Sequence, residues 1–258
     1  MLELSIFENT VLTLLSFFTA MMTSIAGAGG GTVLLASMLQ FMNPSEAIPV
    51  HGVIRLSRGL GDVYKRQVIQ LSSNIARVWL LRKFVKWTII LKFSLLIPLG
   101  VYIGLEIFRN VDADDIKNLI GLFIIIALVL QNLKSIRKIT ISSNWYYLIG
   151  FLTGIFNVLV GVIAPLLAVI IKHSLNEKKS IVGTLGYFGF VGNFTKIVGF
   201  SLIGFTFIEY IDTFLLMIPA TLLGSRIGQF LLDKISNKFF FYIFQVILIA
   251  LALRLLLT

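Results

Sequence analysis

Thr88-Ile-Ile-Leu-Lys-Phe-Ser-Leu-Leu-Ile-Pro-Leu-Gly-Val-Tyr-Ile-Gly-Leu-Glu-Ile-Phe108 decides the class of this chain. One lysine and one glutamate interrupt a run long enough to cross hydrocarbon, which takes roughly 20 apolar residues as a helix. Leu, Ile and Phe follow one another without the alternation of a barrel strand, so a helix is predicted. Similar runs occupy 10–41, 47–81, 116–133, 145–171, 180–207, 211–232 and 239–257. The 258 residues are 57% hydrophobic and 13% charged, with mean hydropathy +0.96. Soluble domains carry about 25% charged residues. The expected fold is therefore all-α integral membrane, with about eight transmembrane segments. A soluble fold and disorder are excluded by the same numbers. Cysteine is absent, which removes disulfides, thiolate metal sites and cysteine nucleophiles.

The net charge of +10 comes from 22 Lys and Arg against 12 Asp and Glu. Most cations lie in short connections, where they set topology and meet anionic lipid. The lipid bilayer is thus an expected partner, and nucleic acid is not. The N-terminal Met1 to Glu8 has no basic region, and no small-residue cleavage site follows the first run, so a cleaved signal peptide is not expected.

Two halves share an order of features. Ser24-Ile-Ala-Gly-Ala-Gly-Gly-Gly31 is followed by Ala47-Ile-Pro, Ser73-Asn-Ile-Ala-Arg77, Ile97-Pro98 and Gly100-x-x-x-Gly104. Gly154-Ile-Phe-Asn-Val-Leu-Val-Gly161 is followed by Ser180-Ile-Val, Gly192-Asn-Phe-Thr-Lys196, Ile218-Pro219 and Gly224-x-x-x-Gly228. A duplication is inferred, with 1–138 as the first repeat and 139–258 as the second. Residues 42–46 carry no Lys or Arg, whereas 172–179 carry Lys172, Lys178 and Lys179. The next pair of loops reverses this, with Arg82, Lys83 and Lys86 in the first half and no cation between Gly204 and Tyr210. Matching loops on opposite sides predict inverted repeats with Gly-interrupted helices, a common transporter plan. The over-long first and fifth runs each read as one broken helix or a helical hairpin.

Residues 55–69 do not fit their surroundings. Arg55-Leu-Ser-Arg-Gly-Leu-Gly-Asp-Val-Tyr-Lys-Arg-Gln67 places four cations inside an apolar run, between Val53-Ile54 and a repeated Val68-Ile69. Each cation would cost about 2.5–3.5 kcal/mol in hydrocarbon. Two readings stand: an inserted loop or lipid-binding patch, and a foreign insertion or assembly artefact. Resequencing the locus separates them.

Candidate substrate-binding residues follow from the physics of the membrane interior. Gly27, Gly29, Gly30 and Gly31 permit an unwound turn whose helix-start amides can hold an anion; tight helix packing is the bland alternative. A phosphate-loop reading fails, because no strand precedes the cluster and no Gly-Lys-Ser/Thr follows. Asn74 and Arg77, like Asn193 and Lys196, lie three apart on one helical face. A cation at membrane depth needs a partner, and the carboxylates crowd into connections, so a mobile anion is an attractive one. Arg77 has snorkelling to the interface as its alternative, a route harder for Lys196. His51 reads as an anion donor or proton shuttle, or else as a solvated histidine near an interface. Asn157 occupies the Gly-rich slot of the second half. Gly100, Gly104, Gly224 and Gly228 read as packing faces.

No His-Glu-x-x-His, no nucleophile triad and no intramembrane carboxylate pair occurs, so neither an enzyme, a metal site nor a cofactor is expected. The Gly-rich cluster, the His51 to Arg77 pattern and Gly192-Asn-Phe-Thr-Lys196 together resemble the sulfite exporter TauE/SafE family of bacterial permeases. That resemblance covers nearly the whole chain and implies a multi-pass exporter in the cell's inner membrane. Its implied cargo is a small anion such as sulfite, thiosulfate or an organosulfonate, moved by alternating access. Asn157-Val-Leu-Val-Gly161 departs from the usual Gly-rich turn. The alternatives are an anion channel, for which no charged ring or filter repeat is present, and a non-transporting membrane partner protein. Oligomeric state is not readable from the sequence.

Overall fold

The computed structural model describes residues 5–26, 30–57, 83–132, 141–171, 174–175, 177–231 and 237–257. The helices run α1 Ile6–Ala26, α2 Gly30–Met38, α3 Pro44–Ser57, α4 Trp87–Arg109, α5 Ala113–Asn132, α6 Trp145–Leu159, α7 Ala164–Ile171, α8 Lys178–Leu202, α9 Ile211–Leu231 and α10 Asn237–Leu257, with a 3-10 turn Phe207–Tyr210 before α9. Among the described residues there is no strand. Three stretches are long and apolar enough to cross a membrane: Ile6–Thr23, Trp87–Arg109 and Phe207–Gly228. The expectation of about eight spanning segments is met in helical class but not in that number among the described residues.

Local chemistry sets the helix ends. The Ser5 hydroxyl accepts from the Glu8 N–H at 3.2 Å, and the Glu8 carboxylate accepts from the Ser5 N–H at 2.8 Å. This reciprocal box satisfies two amide donors at the start of α1. Asn43, Pro44 and Glu46 start α3 with a longer version of it, the Glu46 carboxylate 3.4 Å from the Asn43 nitrogen. Asp114 and Asp115 lie in the first turn of α5, where acids suit the helix dipole. α8 ends in a left-handed glycine, Gly204, at φ +93°. The Gly204 N–H donates to Ser201, the Phe205 N–H donates to Phe200, and the Phe205 ring packs edge-on against Phe200. A Cβ on Gly204 would meet nothing within 4 Å. Gly204→Ala therefore acts through backbone strain alone, about 1–2 kcal/mol. A thermal scan in detergent is expected to show Tm lowered by about 2–4 °C per kcal/mol, with Gly204→Asn losing less.

The two over-long runs are both broken. α1 runs to Ala26 and α2 from Gly30, and α2 lies beside α1, because Gly30 abuts the Thr19 carbonyl and the Thr23 hydroxyl. α6 and α7 part at 160–163, where Gly161 takes φ +74°.

Glycines set the main helix crossings. A Cβ on Gly100 or Gly104 of α4 would strike the backbone of Phe151 or Ile155 in α6. In return, Gly150 and Gly154 of α6 abut the backbone of Phe93, Ile97 and Val101. Gly224 of α9 makes the same kind of approach to Phe17 of α1. Small residues let helix backbones come this close in lipid. Gly154, read from the sequence as part of a Gly-rich turn, thus belongs to the α4–α6 crossing. Lys92 of α4 fastens the same pair at one end, donating to Ser143 and Asn144 at 2.8 Å each. The exposed faces are apolar, with Leu91, Leu95 and Leu99 of α4 turned outward. Trp87 and Trp145 stand half-exposed at the starts of α4 and α6, where aromatic residues mark a membrane interface.

Candidate functional site

Lys196 lies on α8 with 0% of its surface exposed. Three local features make room for it. Its ammonium donates to the Gly161 carbonyl at 3.3 Å, in the turn between α6 and α7. Gly52 of α3 leaves space for its stem, since a Cβ there would lie 2.9 Å from Cε and 3.4 Å from Nζ. Gly161 faces α2 and α3, for a Cβ on it would stand 2.7 Å from Leu35 and 3.4 Å from Ile48. The ammonium therefore sits where α2, α3, α8 and the α6–α7 break converge.

Asn157 reinforces that junction from the other direction. Its Nδ2 donates to the Gly192 carbonyl of α8 at 2.7 Å. Asn157 and Gly161 lie four residues apart, as do Gly192 and Lys196, so two bonds of opposite sense join one turn of each helix. The break and the lysine are thereby held as one unit. The Thr195 hydroxyl also reaches the Gly192 carbonyl, at 3.2 Å.

The other expected residues divide into three groups. His51 adjoins Gly52 on α3 and is 1% exposed, so it is not the solvated histidine of one sequence reading: α3 is packed by α2, α8 and α9. Gly30 and Gly31 are buried at the start of α2. Asn193 turns its Nδ2 back to the Gly189 carbonyl of its own helix at 2.8 Å. Gly27, Gly29, Asn74 and Arg77 lie outside the described residues, as do His173 and all of 55–69 beyond Ser57. Glu106, near the end of α4, is exposed and paired with Arg109 at 3.2 Å. Among the described residues no Asp or Glu is buried, and no cluster of His and acids could hold a metal.

Sequence reasoning missed Gly52, because a lone glycine in an apolar run has no signal beyond itself. It also missed Gly192 as the acceptor for Asn157, a contact across 35 residues. The sulfite exporter TauE/SafE family model matches residues 12–255.

The chain belongs to the sulfite exporter TauE/SafE family. It is accordingly a helical membrane protein of a transporter family, whose cargo class is a small anion. No curated protein and no solved structure matches it.

Proposed function

We propose that this TauE/SafE protein carries a small oxyanion, such as sulfite, thiosulfate or an organosulfonate, across the cell's inner membrane by alternating access. One observation carries the reading: a lysine at zero exposure on α8 has its ammonium at a glycine break. Placing such a cation in the apolar interior costs about 2.5–3.5 kcal/mol on insertion scales. Unwound turns beside a charge at depth form ion sites in transporters. In this reading Lys196 contacts the anion, Asn157 holds the break to α8, and the first-turn amides of α2 supply further donors. His51 is the remaining titratable group beside the site. The exposure of the described carboxylates favours facilitated efflux or histidine-assisted coupling over a proton path through Asp or Glu.

The repeat plan belongs to the same proposal. α1 of the first half packs on α9 of the second, and α4 of the first packs on α6 of the second. Each half thus lends its broken helix to a glycine-bearing helix of the other, as paired repeats would. Inverted repeats place Ser45 and Asn176 on opposite sides of the membrane. The chain has no native cysteine, so Ser45→Cys and Asn176→Cys can be labelled singly with an impermeant maleimide on oriented vesicles. Labelling from opposite sides is the expected result; labelling from the same side defeats the inverted plan.

The function is tested by flux of radiolabelled sulfite, thiosulfate and methanesulfonate into proteoliposomes holding wild-type protein or Lys196→Gln. Saturable wild-type flux that the variant lacks supports the proposal. Non-saturating flux points to a channel, and equal flux in both proteins rejects the lysine site.

A further inference from the structure

Lys92 lies five residues beyond Trp87, inside a stretch of α4 long and apolar enough to cross a membrane. A cation there must reach water, an acid or some other anion. The ion pairs Glu106–Arg109 and Asp114–Lys117 form around the α4–α5 turn, at the other end of the helix. Lys92 meets neutral groups only. The Ser143 hydroxyl and the Asn144 side-chain carbonyl accept from its ammonium at 2.8 Å each, and the Tyr147 ring centre lies 5.9 Å away. An ammonium has three N–H donors. Two are engaged by these oxygens, which fix the nitrogen in place; one N–H and the positive charge are left over.

The depth of that nitrogen follows from the two helices. Gly150 abuts Phe93 and Gly154 abuts Ile97, so α4 and α6 run in the same direction and start at the same end. Side chains lean toward the start of their helix, and that of Lys92 reaches Ser143 and Asn144, the two residues before α6. Trp87 and Trp145, the first residues of α4 and α6, stand half-exposed at that level. Tryptophan at helix ends marks the depth of lipid head groups. About one turn deeper, on the faces that carry Lys92 and Asn144, Leu95 and Leu148 are exposed. A fixed positive charge thus tops an apolar outer surface built from both helices.

We propose that this corner of α4 and α6 binds one anionic phospholipid, its phosphate diester accepting from the free N–H of Lys92 and its acyl chains lying along Leu95 and Leu148. The charge decides among lipids. A zwitterionic head group carries its own cation beside the phosphate, whereas phosphatidylglycerol leaves one negative charge for the lysine. A purely fastening role for Lys92 accounts for its two hydrogen bonds but needs no charge, since an amide donor would serve. The proposal is independent of the cargo and of the Lys196 site.

The experiment measures lipid retention by the full chain in detergent, with native mass spectrometry as the readout. Phosphatidylglycerol is titrated against phosphatidylcholine bearing the same acyl chains. Wild type is expected to prefer phosphatidylglycerol, and Lys92→Gln to lower that preference about fivefold, the effect of one basic residue at an anionic membrane surface. Lys92→Arg should restore it. The preference is a ratio within one protein, so a weaker α4–α6 crossing does not by itself move it. Lys83→Gln removes an exposed cation four residues before Trp87 and should leave the ratio unchanged. An unchanged ratio in Lys92→Gln overturns the proposal, and an equal fall in Lys83→Gln overturns it in favour of diffuse surface charge. Displacement of the lipid by millimolar inorganic phosphate overturns it too, by showing a site for a free anion.

Discussion

Lys196→Gln abolishes saturable sulfite flux at concentrations that saturate the wild type, and the protein remains folded. Glutamine keeps an N–H donor for the Gly161 carbonyl, so the substitution removes the charge more than the contact. A hydrogen bond from a charged donor contributes about 1.5–3 kcal/mol, which corresponds to a roughly 10- to 150-fold weaker site. Stability moves the other way. Taking a fully buried ammonium out of the interior removes its desolvation penalty, which offsets the loss of the contacts it makes. Loss of flux with an unchanged or raised Tm is therefore the expected pair of readings. Lys196→Arg keeps the charge but must place a wider head beside Gly52, where even a Cβ would lie 2.9 Å from the lysine Cε. It is expected to restore flux only in part. Wild-type KM in Lys196→Gln would show that the cargo never meets this nitrogen.

The path to Lys196 shows how far the sequence reaches. Apolar runs announce helices because hydrocarbon forces the backbone to satisfy itself, and each described run does hold a helix. The interruption at 160–163 was legible too, since glycine is the residue that takes the left-handed conformation Gly161 adopts. Lys196 could be singled out because cations at depth are costly. What surrounds it could not be foreseen. Gly52 matters only because α3 happens to face α8 there, and Asn157 finds Gly192 only once α6 and α8 lie side by side. The burial of His51 has the same origin: its neighbours come from other helices.

Gly154→Leu separates α4 from α6, one of the main contacts through which the first half grips the second. The Cβ of any larger residue at this position would stand 2.5 Å from the Ile97 carbonyl oxygen, 2.7 Å from the Val101 nitrogen and 2.9 Å from the Gly100 carbonyl carbon. All three are backbone atoms, so no rotamer change can make room and the helices must move apart. The opposing face is glycine as well, since Gly100 abuts Phe151 in the same manner. Separation therefore opens a gap along a whole crossing rather than at one point. Overpacking of this kind costs about 1–3 kcal/mol and sometimes more, a Tm loss of roughly 2–4 °C per kcal/mol. The variant is expected to unfold at least several degrees earlier in detergent and to lose its sharp elution on size exclusion. Leu152→Ala serves as the control: Leu152 lies on the same helix but is 40% exposed, on a face available to lipid. That change should leave Tm near wild type, whereas a Gly154→Leu protein with wild-type Tm would show that close approach of these backbones does not hold the halves together. Because Asn157 lies one turn beyond Gly154 on α6, displacement of α6 also pulls on the Gly192 bond and on the turn that receives Lys196. Sulfite flux should consequently fail in Gly154→Leu at temperatures where the protein is still folded, which connects the packing of the halves to the chemistry of the site.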